Sequence, residues 1–302
     1  MTTLPQIRNI LVPLDGSTLA ESSLAPVRTL ARATGATVTL LHVLEHDAPE
    51  SIHGERHLSE EAESADYLAG VARRWDGSTT FARHVHPNPE HDIAASIAQH
   101  AAELDADLIA ITTHGGGGLR GLVFGRIAQK VLQQTDRPVL VVRPEQVPER
   151  QFDCRQVAVA LDGTADAAQA LPLARSLAAA LDAGLTLIRV VPTLGAVRGE
   201  RTVPATMLPT ATAALLDMQV EEAARYLEAV RDEIGDSSIV ALVRRGDIAN
   251  EIAAAVDETG CSLVLLSTHA KAGLEGLVSG SVAARILGRV RQPVILLRSP
   301  RG

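Results

Sequence analysis

The sequence predicts an α/β fold of two tandem, doubly wound, five-stranded parallel-sheet domains, and three observations lead to it. First, the chain repeats itself. Leu14-Asp15-Gly16-Ser17 recurs as Leu161-Asp162-Gly163-Thr164, an offset of 147 (162 less 15). Thr113-His114, Gly118-Leu119, Gly121-Leu122-Val123 and Gly125 recur as Thr268-His269, Gly273-Leu274, Gly276-Leu277-Val278 and Gly280, an offset of 155 (280 less 125). The second copy therefore holds eight extra residues in its middle (155 less 147). Solenoid units run only about 20–50 residues, so this period marks a duplicated domain. Second, 302 residues suit about two domains of ~150 residues. Third, short β-branched runs alternate with longer helical patterns, as in βαβ units.

The elements follow in order. In the first half the strands read Asn9–Pro13, Thr37–Val43, Thr79–Val85, Leu108–Thr112 and Val139–Arg143. In the second half they read Val157–Leu161, Leu185–Val191, Ile239–Val243, Leu263–Ser267 and Val294–Arg298. Strands this continuously apolar are covered on both faces, which is the situation in a parallel sheet. Leu19, Leu24, Val27, Leu30 and Ala31 mark a first helix, and Ile93, Ile97, Ala98 and Ala101 a later one, at helical spacing. Ile127–Gln134 is a helix opened by Gly125. Glu60–Trp75 and Met218–Ile234 are amphipathic, with solvated Glu and Arg faces. Pro144–Phe152, with two prolines and several charges, separates domains at 1–146 and 153–302. Glu45–Leu58 and Pro192–Thr210 are loops at equivalent places, after the second strand of each half, where ligand lids often sit.

Composition narrows the functions. Aromatics are only 2% of the chain, so the cores are aliphatic and base-stacking platforms are not expected. A net charge of −8 argues against a nucleic-acid partner, which needs a basic stripe. Cys154 and Cys261 have neither metal-type spacing nor a disulfide pattern, which points to a reducing cytoplasm. No apolar run approaches the ~20 residues of a membrane span, and the first strand begins too early for a signal peptide.

Asp15 and Asp162 stand just past the first strand of each half, at the sheet edge where open α/β folds bind ligands. A carboxylate there can accept from a ribose hydroxyl or cap the next helix. Gly115-Gly116-Gly117-Gly118 can bring backbone N–H groups against phosphate oxygens. In the second half Gly280-Ser281 takes this place, and Ser281 can cap its helix or donate to a phosphate. Histidines gather as His46, His53 and His57, and as His84, His86 and His91. Three near one another can ligate zinc, but with no cysteine or ordered carboxylate beside them they read as solvated loop residues, and no metal site is expected. His114 and His269 share one motif place and are expected to orient their loops.

Ile10–Ser17 with its Pro-Leu-Asp-Gly-Ser, Leu40-Leu41-His42-Val43, Ala106-Asp107-Leu108-Ile109, Thr113-His114-Gly115 and Pro138–Val142 resemble the universal stress protein family. So do Val159–Thr164, Leu187–Val190, Leu263–His269 and Pro293–Leu297. The resemblance covers nearly the whole chain as two tandem copies. It implies the doubly wound sheet above, of adenine-nucleotide alpha-hydrolase-like type, and in many members ATP held by Gly, two residues, Gly, nine residues, Gly, then Ser or Thr. Those positions fall on Thr112, Gly115, Gly125 and Arg126 in the first copy and on Ser267, Ala270, Gly280 and Ser281 in the second. Neither copy is complete. By the same matching Asp15 and Asp162 lie near the ribose, and Val43 and Val190 offer backbone to adenine.

The expectation is a cytoplasmic stress-response regulator or sensor that binds ATP or another adenine nucleotide, with Mg accompanying it and without dedicated catalysis. A nucleotide-free interaction module and a slow ATPase using Asp15 or Asp162 stand as alternatives. Unequal binding is expected, leaning to the first half, where the cation of Arg126 can replace a lost hydroxyl donor. The last strand dimerises the resembled family, so Val139–Arg143 and Val294–Arg298 are expected to pair the halves intramolecularly, with homodimerisation of the whole chain beyond that. A dinucleotide fold would place Gly-x-Gly-x-x-Gly after its first strand, no Gly-x-x-x-x-Gly-Lys-Ser/Thr loop occurs, and Asp15 lacks the acidic neighbour of a phospho-receiver.

Overall fold

A computed structural model describes residues 4–46, 48–49, 51–52, 54–75, 79–113, 126–144, 152–193, 209–268 and 281–298. In the first half the strands are β1 (Asn9–Pro13), β2 (Thr37–Glu45), β3 (Ser51–Ile52), β4 (Glu55–Arg56), β5 (Phe81–Glu90), β6 (Leu108–Thr112) and β7 (Val139–Val142). Its helices are a 3-10 turn (Ala20–Ser23), α1 (Leu24–Thr34), α2 (Glu61–Arg73), α3 (Ile93–Glu103) and α4 (Arg126–Gln134). The second half has strands β8 (Gln156–Ala160), β9 (Gly184–Pro192), β10 (Val240–Gly246), β11 (Leu263–Thr268) and β12 (Val294–Arg298). Its helices are α5 (Ala165–Ala168), α6 (Ala170–Leu181), α7 (Pro209–Ile234), α8 (Ile248–Glu258) and α9 (Val282–Leu287).

Ten strands form one sheet in the order β10-β9-β8-β11-β12-β7-β6-β1-β2-β5. Within each half the pairings of this sheet are parallel, and β3 and β4 pair antiparallel as a separate two-stranded sheet. The halves join through β7 and β12, which run antiparallel. Val141 faces Val294, Leu140 faces Ile295 and Val139 faces Leu296. Leu140 and Ile295 are repeat equivalents at the offset of 155 (295 less 140), so a pseudo-twofold axis passes between them. The two edge strands named from the sequence thus cover each other, which removes two open edges from the molecule.

Strand side chains alternate between two apolar layers. Ile10 and Val12 enter one and Leu11 the other. Helices α1, α2, α5, α6 and α7 supply the first layer, and α3, α4, α8 and α9 the second. Both layers run through both halves, so the seam lies inside the core. Thr29 Oγ1 donates to Phe152 O across it at 2.6 Å, and Arg298 Nη1 to Gln133 O at 3.0 Å.

Three elements depart from the sequence reading. The segment expected as a loop at Glu45–Leu58 contains the β3–β4 hairpin. Helix α7 starts at Pro209, inside the other expected loop, because proline suits a first helical position where its missing N–H costs nothing. Strand β5 runs on to Glu90. The interdomain residues 145–151, the glycine stretch 114–125 and residues 194–208 lie outside the described residues.

Candidate functional site

Strand β1 is flanked by β2 on one side and β6 on the other, and β8 by β9 and β11. At each place the strand order reverses, and the crevice beyond the strand carboxyl ends is where open α/β sheets bind ligands. Asp15 follows β1 by one residue, Leu14, and Thr112 closes β6. Asp162 follows β8 by one residue, and Ser267 lies near the end of β11. Four expected site residues thus converge pairwise on two switch points.

The same turn is built at both. Asp15 Oδ1 accepts from Ser17 N at 2.9 Å and Ser17 Oγ at 2.6 Å, and Ser17 Oγ accepts from Ala20 N at 3.1 Å. Asp162 Oδ1 accepts from Thr164 N at 2.8 Å and Thr164 Oγ1 at 2.6 Å, and Thr164 Oγ1 caps α5 at Ala167 N, 3.1 Å away. The hydroxyl residue does the capping, and the aspartate fixes that hydroxyl. Gly16 and Gly163 take φ of +94° and +90° in these turns, backbone that side chains rarely adopt. Leu14 N donates to Leu41 O and Leu161 N to Ile188 O, both at 2.8 Å, so each turn lies beside the strand that bears Val43 or Val190. The β2–β5 register shifts between Val43 and Glu45, an irregularity of the kind found beside binding edges.

The walls of the two crevices differ. In the first half Leu58 presses on Gly16, within 2.8 Å of where a Cβ would stand. Glu55 of the β3–β4 hairpin accepts from Thr18 N and Thr18 Oγ1, both at 2.8 Å. His42 and His57 are buried beneath, so His57 is no solvated loop residue as the sequence suggested. His42 bonds Leu14 O through Nδ1 at 2.7 Å, while among the described residues its Nε2 and His57 Nδ1 make no hydrogen bond of ordinary geometry. In the second half the residue equivalent to His42 is Arg189. Its guanidinium lies 2.9 Å from where a Cβ of Gly163 would stand and 5.0 Å from the centre of the Tyr226 ring. Sequence reasoning missed Arg189, whose signal was one cation inside the apolar run Leu187–Val191.

Burial holds the His42 imidazole below its ordinary pKa of 6.5, with His57 adding to the effect and the Leu14 and Leu58 backbone and Asp15 opposing it. Burial, with His100 and His86 nearby, also lowers His84. The unfolded chain therefore takes up protons that the native rings resist. The stabilisation is complete above pH ~6.5 and is lost as pH falls below it. Urea midpoints are expected to drop between pH 7.5 and 5.5. His42→Asn, which keeps an N–H for Leu14 O, is expected to shrink that drop, and an equal drop in the variant would assign it elsewhere.

Among the remaining expected residues, Ser281 caps α9, its Oγ accepting from Ala284 N at 3.2 Å. Arg126 is the first residue of α4, and its side chain lies outside what is described. Gly115, Gly125, Ala270 and Gly280 lie outside the described residues altogether. Among the described residues no helix is long and apolar enough to cross a membrane.

The sequence model of the Universal stress protein family matches residues 6–143 and again 154–298. A universal stress protein of Mycolicibacterium smegmatis is 27% identical over 139 residues, 45% of each chain. The match therefore spans under half of that relative's length. One of Thermus aquaticus, described as lying in the QAH/OAS sulfhydrylase 3' region, is 31% identical over 140 residues, 45% of this chain and 98% of its own. The crystal structure of a universal stress protein from Archaeoglobus fulgidus aligns over 97% of this chain and 99% of its own, with a TM-score of 0.71 at 18% identity, a likeness of fold.

Proposed function

This chain belongs to the universal stress protein family, and from that premise we propose that it is a stress-response regulatory protein that binds an adenine nucleotide, such as ATP with Mg, at the carboxyl edge of each half. The observation that carries the reading is the duplicated aspartate turn. Asp15 and Asp162 stand at both switch points in the same hydrogen-bonded frame. A carboxylate offers two oxygens that accept several hydrogen bonds, so ribose hydroxyls are a suitable partner for a group in this frame. Val43 and Val190, on the neighbouring strands, then meet the base through their backbone. Arg126 and Ser281, at the starts of α4 and α9, then border the phosphates together with Gly115, Gly125, Ala270 and Gly280.

The halves bind unequally in this reading. A nucleotide in the first half must displace Leu58 and loosen the Glu55–Thr18 pair, whereas the second half offers Arg189 and Tyr226 beside Asp162. This moves the preference from the first half, favoured on the cation of Arg126 against the added methyl of Ala270, to the second. Acid extraction of freshly purified protein followed by nucleotide chromatography tests the reading. Adenine nucleotide is expected in the extract, with equilibrium dialysis against ATP and Mg restoring it. Asp162→Ala is expected to lower the recovered amount more than Asp15→Ala. A nucleotide-free extract and no ATP uptake would leave the chain an interaction module.

A further inference from the structure

Strand β5 and helix α3 bring three histidines to one point on the sheet's outer edge, one strand out from β2. His84 and His86 sit two residues apart on β5, so they share a face. His100 projects from α3 and is buried, at 4% exposure. One ring nitrogen from each of the three lies within 4.8 Å of the others. From this juxtaposition we propose that His84, His86 and His100 form a binding site for a divalent transition metal of the zinc type.

The ring geometry fits an ion. With Zn–N near 2.0–2.1 Å in a tetrahedral shell, ligating nitrogens stand about 3.3 Å apart and ring centres roughly 5 Å apart. His84 Nε2 and His100 Nε2 are 3.0 Å apart. The His100 ring centre is 4.7 Å from that of His84 and 5.0 Å from that of His86. The three ligand nitrogens lie within 4.8 Å of one another, so binding draws them together from that spread.

Tautomers and outer partners fit as well. His100 Nδ1 meets Ser96 O at 2.8 Å. A carbonyl only accepts, so Nδ1 holds the proton and Nε2 presents a lone pair towards His84. Two ring nitrogens facing each other at this distance need a proton or a cation between them. His86 Nε2 donates to Glu90 Oε1 at 3.0 Å, which leaves Nδ1 of the neutral ring with its lone pair. Carbonyl and carboxylate partners of this sort orient metal-bound imidazoles. Three imidazoles leave one position of a tetrahedral shell to solvent, which the partly exposed His84 and His86 admit.

The duplication supplies an internal comparison. His84 faces Leu41 in the sheet, as Leu242 faces Ile188, and His86 faces Val43, as Arg244 faces Val190. His100 corresponds to Ala255, counting from the helix caps Asp92 and Asp247. The second half thus builds the same strand and helix with Leu242, Arg244 and Ala255, Arg244 pairing with Glu258. The fold does not require three histidines here, and all three are present in one half only.

The test uses the full chain, untagged and dialysed against EDTA. Titration with Co(II) is expected to give the visible absorption of low-coordinate cobalt at one equivalent per chain, and Zn(II) is expected to bleach it. His84→Leu and His100→Ala install residues the second half already tolerates. Both are expected to keep the far-ultraviolet dichroism and lose the cobalt signal. Glu90→Gln is expected to weaken binding roughly 10–100-fold, and His91→Ala to leave it unchanged. Zinc is expected to raise the thermal midpoint of the parent protein and not that of His100→Ala. Absence of saturable Co(II) or Zn(II) binding in the parent, or binding that survives in His84→Leu and His100→Ala, would overturn the site and leave His84 and His100 a neutral hydrogen-bonded pair.

Discussion

Leu140→Asp is expected to abolish cooperative folding of the whole chain, not of one half alone. Leu140 is fully buried and faces Ile295, also fully buried, on the pseudo-twofold axis. Truncating a leucine in such a place costs about 2–5 kcal/mol. A carboxylate adds the cost of burying an unpaired charge, several kcal/mol more. The sum approaches the whole stability of an ordinary domain, about 5–15 kcal/mol. Because both apolar layers run through the seam, neither half escapes the damage. Leu140→Ala serves as the milder companion, expected to lower the unfolding free energy by about 2–5 kcal/mol with the transition still cooperative. Urea unfolding followed by far-ultraviolet dichroism reads both. A Leu140→Asp chain that keeps one intact transition in half its signal would show that the halves fold independently and that the seam is a docking contact.

The duplication explains why so much of this architecture is legible in the sequence. Leu108–Thr112 and Val294–Arg298 read as strands because they are unbroken aliphatic runs, and they stand as β6 and β12 with those same bounds. The end of β5 was not legible. Pro87 and Pro89 lie in its last part; among the described residues β5 pairs with β2 alone, and an edge strand tolerates residues that cannot donate on its open side. The start of α7 was missed for a related reason, since Pro209 signals an ending unless its place at the first helical position is foreseen. Within the candidate site, Asp15 and Asp162 stood out because the repeat printed them twice beside glycine. His42 and Arg189 did not, because each lies inside a run that otherwise reads as buried strand. The histidine cluster depends on α3 packing against β5. Sixteen residues separate His84 from His100 (100 less 84), and no local periodicity connects a strand face to the helix that covers it.

Gly16→Val is expected to cost more than Gly163→Val, and the difference measures how tightly each crevice is closed. Both positions hold a left-handed backbone, which a branched side chain adopts at a cost of about 1–3 kcal/mol. That cost is common to the two variants. The neighbours are not. At Gly16 the new Cβ would meet Leu58 Cδ1 and Cγ at 2.8 Å, and Leu58 is buried at 9% exposure under the hairpin that Glu55 ties to Thr18. Forcing a packed side chain aside adds about 1–3 kcal/mol, so Gly16→Val is expected to lose about 2–6 kcal/mol. At Gly163 the Cβ meets the far end of Arg189, a long side chain that can swing away, so the loss is expected to stay near 1–3 kcal/mol. The order reverses for ligand. Displacing Arg189 and distorting the Asp162 turn removes the polar wall proposed for the tighter site, so Gly163→Val is expected to lower nucleotide stoichiometry while Gly16→Val mainly lowers stability. Urea midpoints and equilibrium dialysis on the same two preparations separate these effects. Equal stability losses would show that Leu58 yields as readily as Arg189. Nucleotide lost from Gly16→Val and kept by Gly163→Val would return the preferred site to the first half.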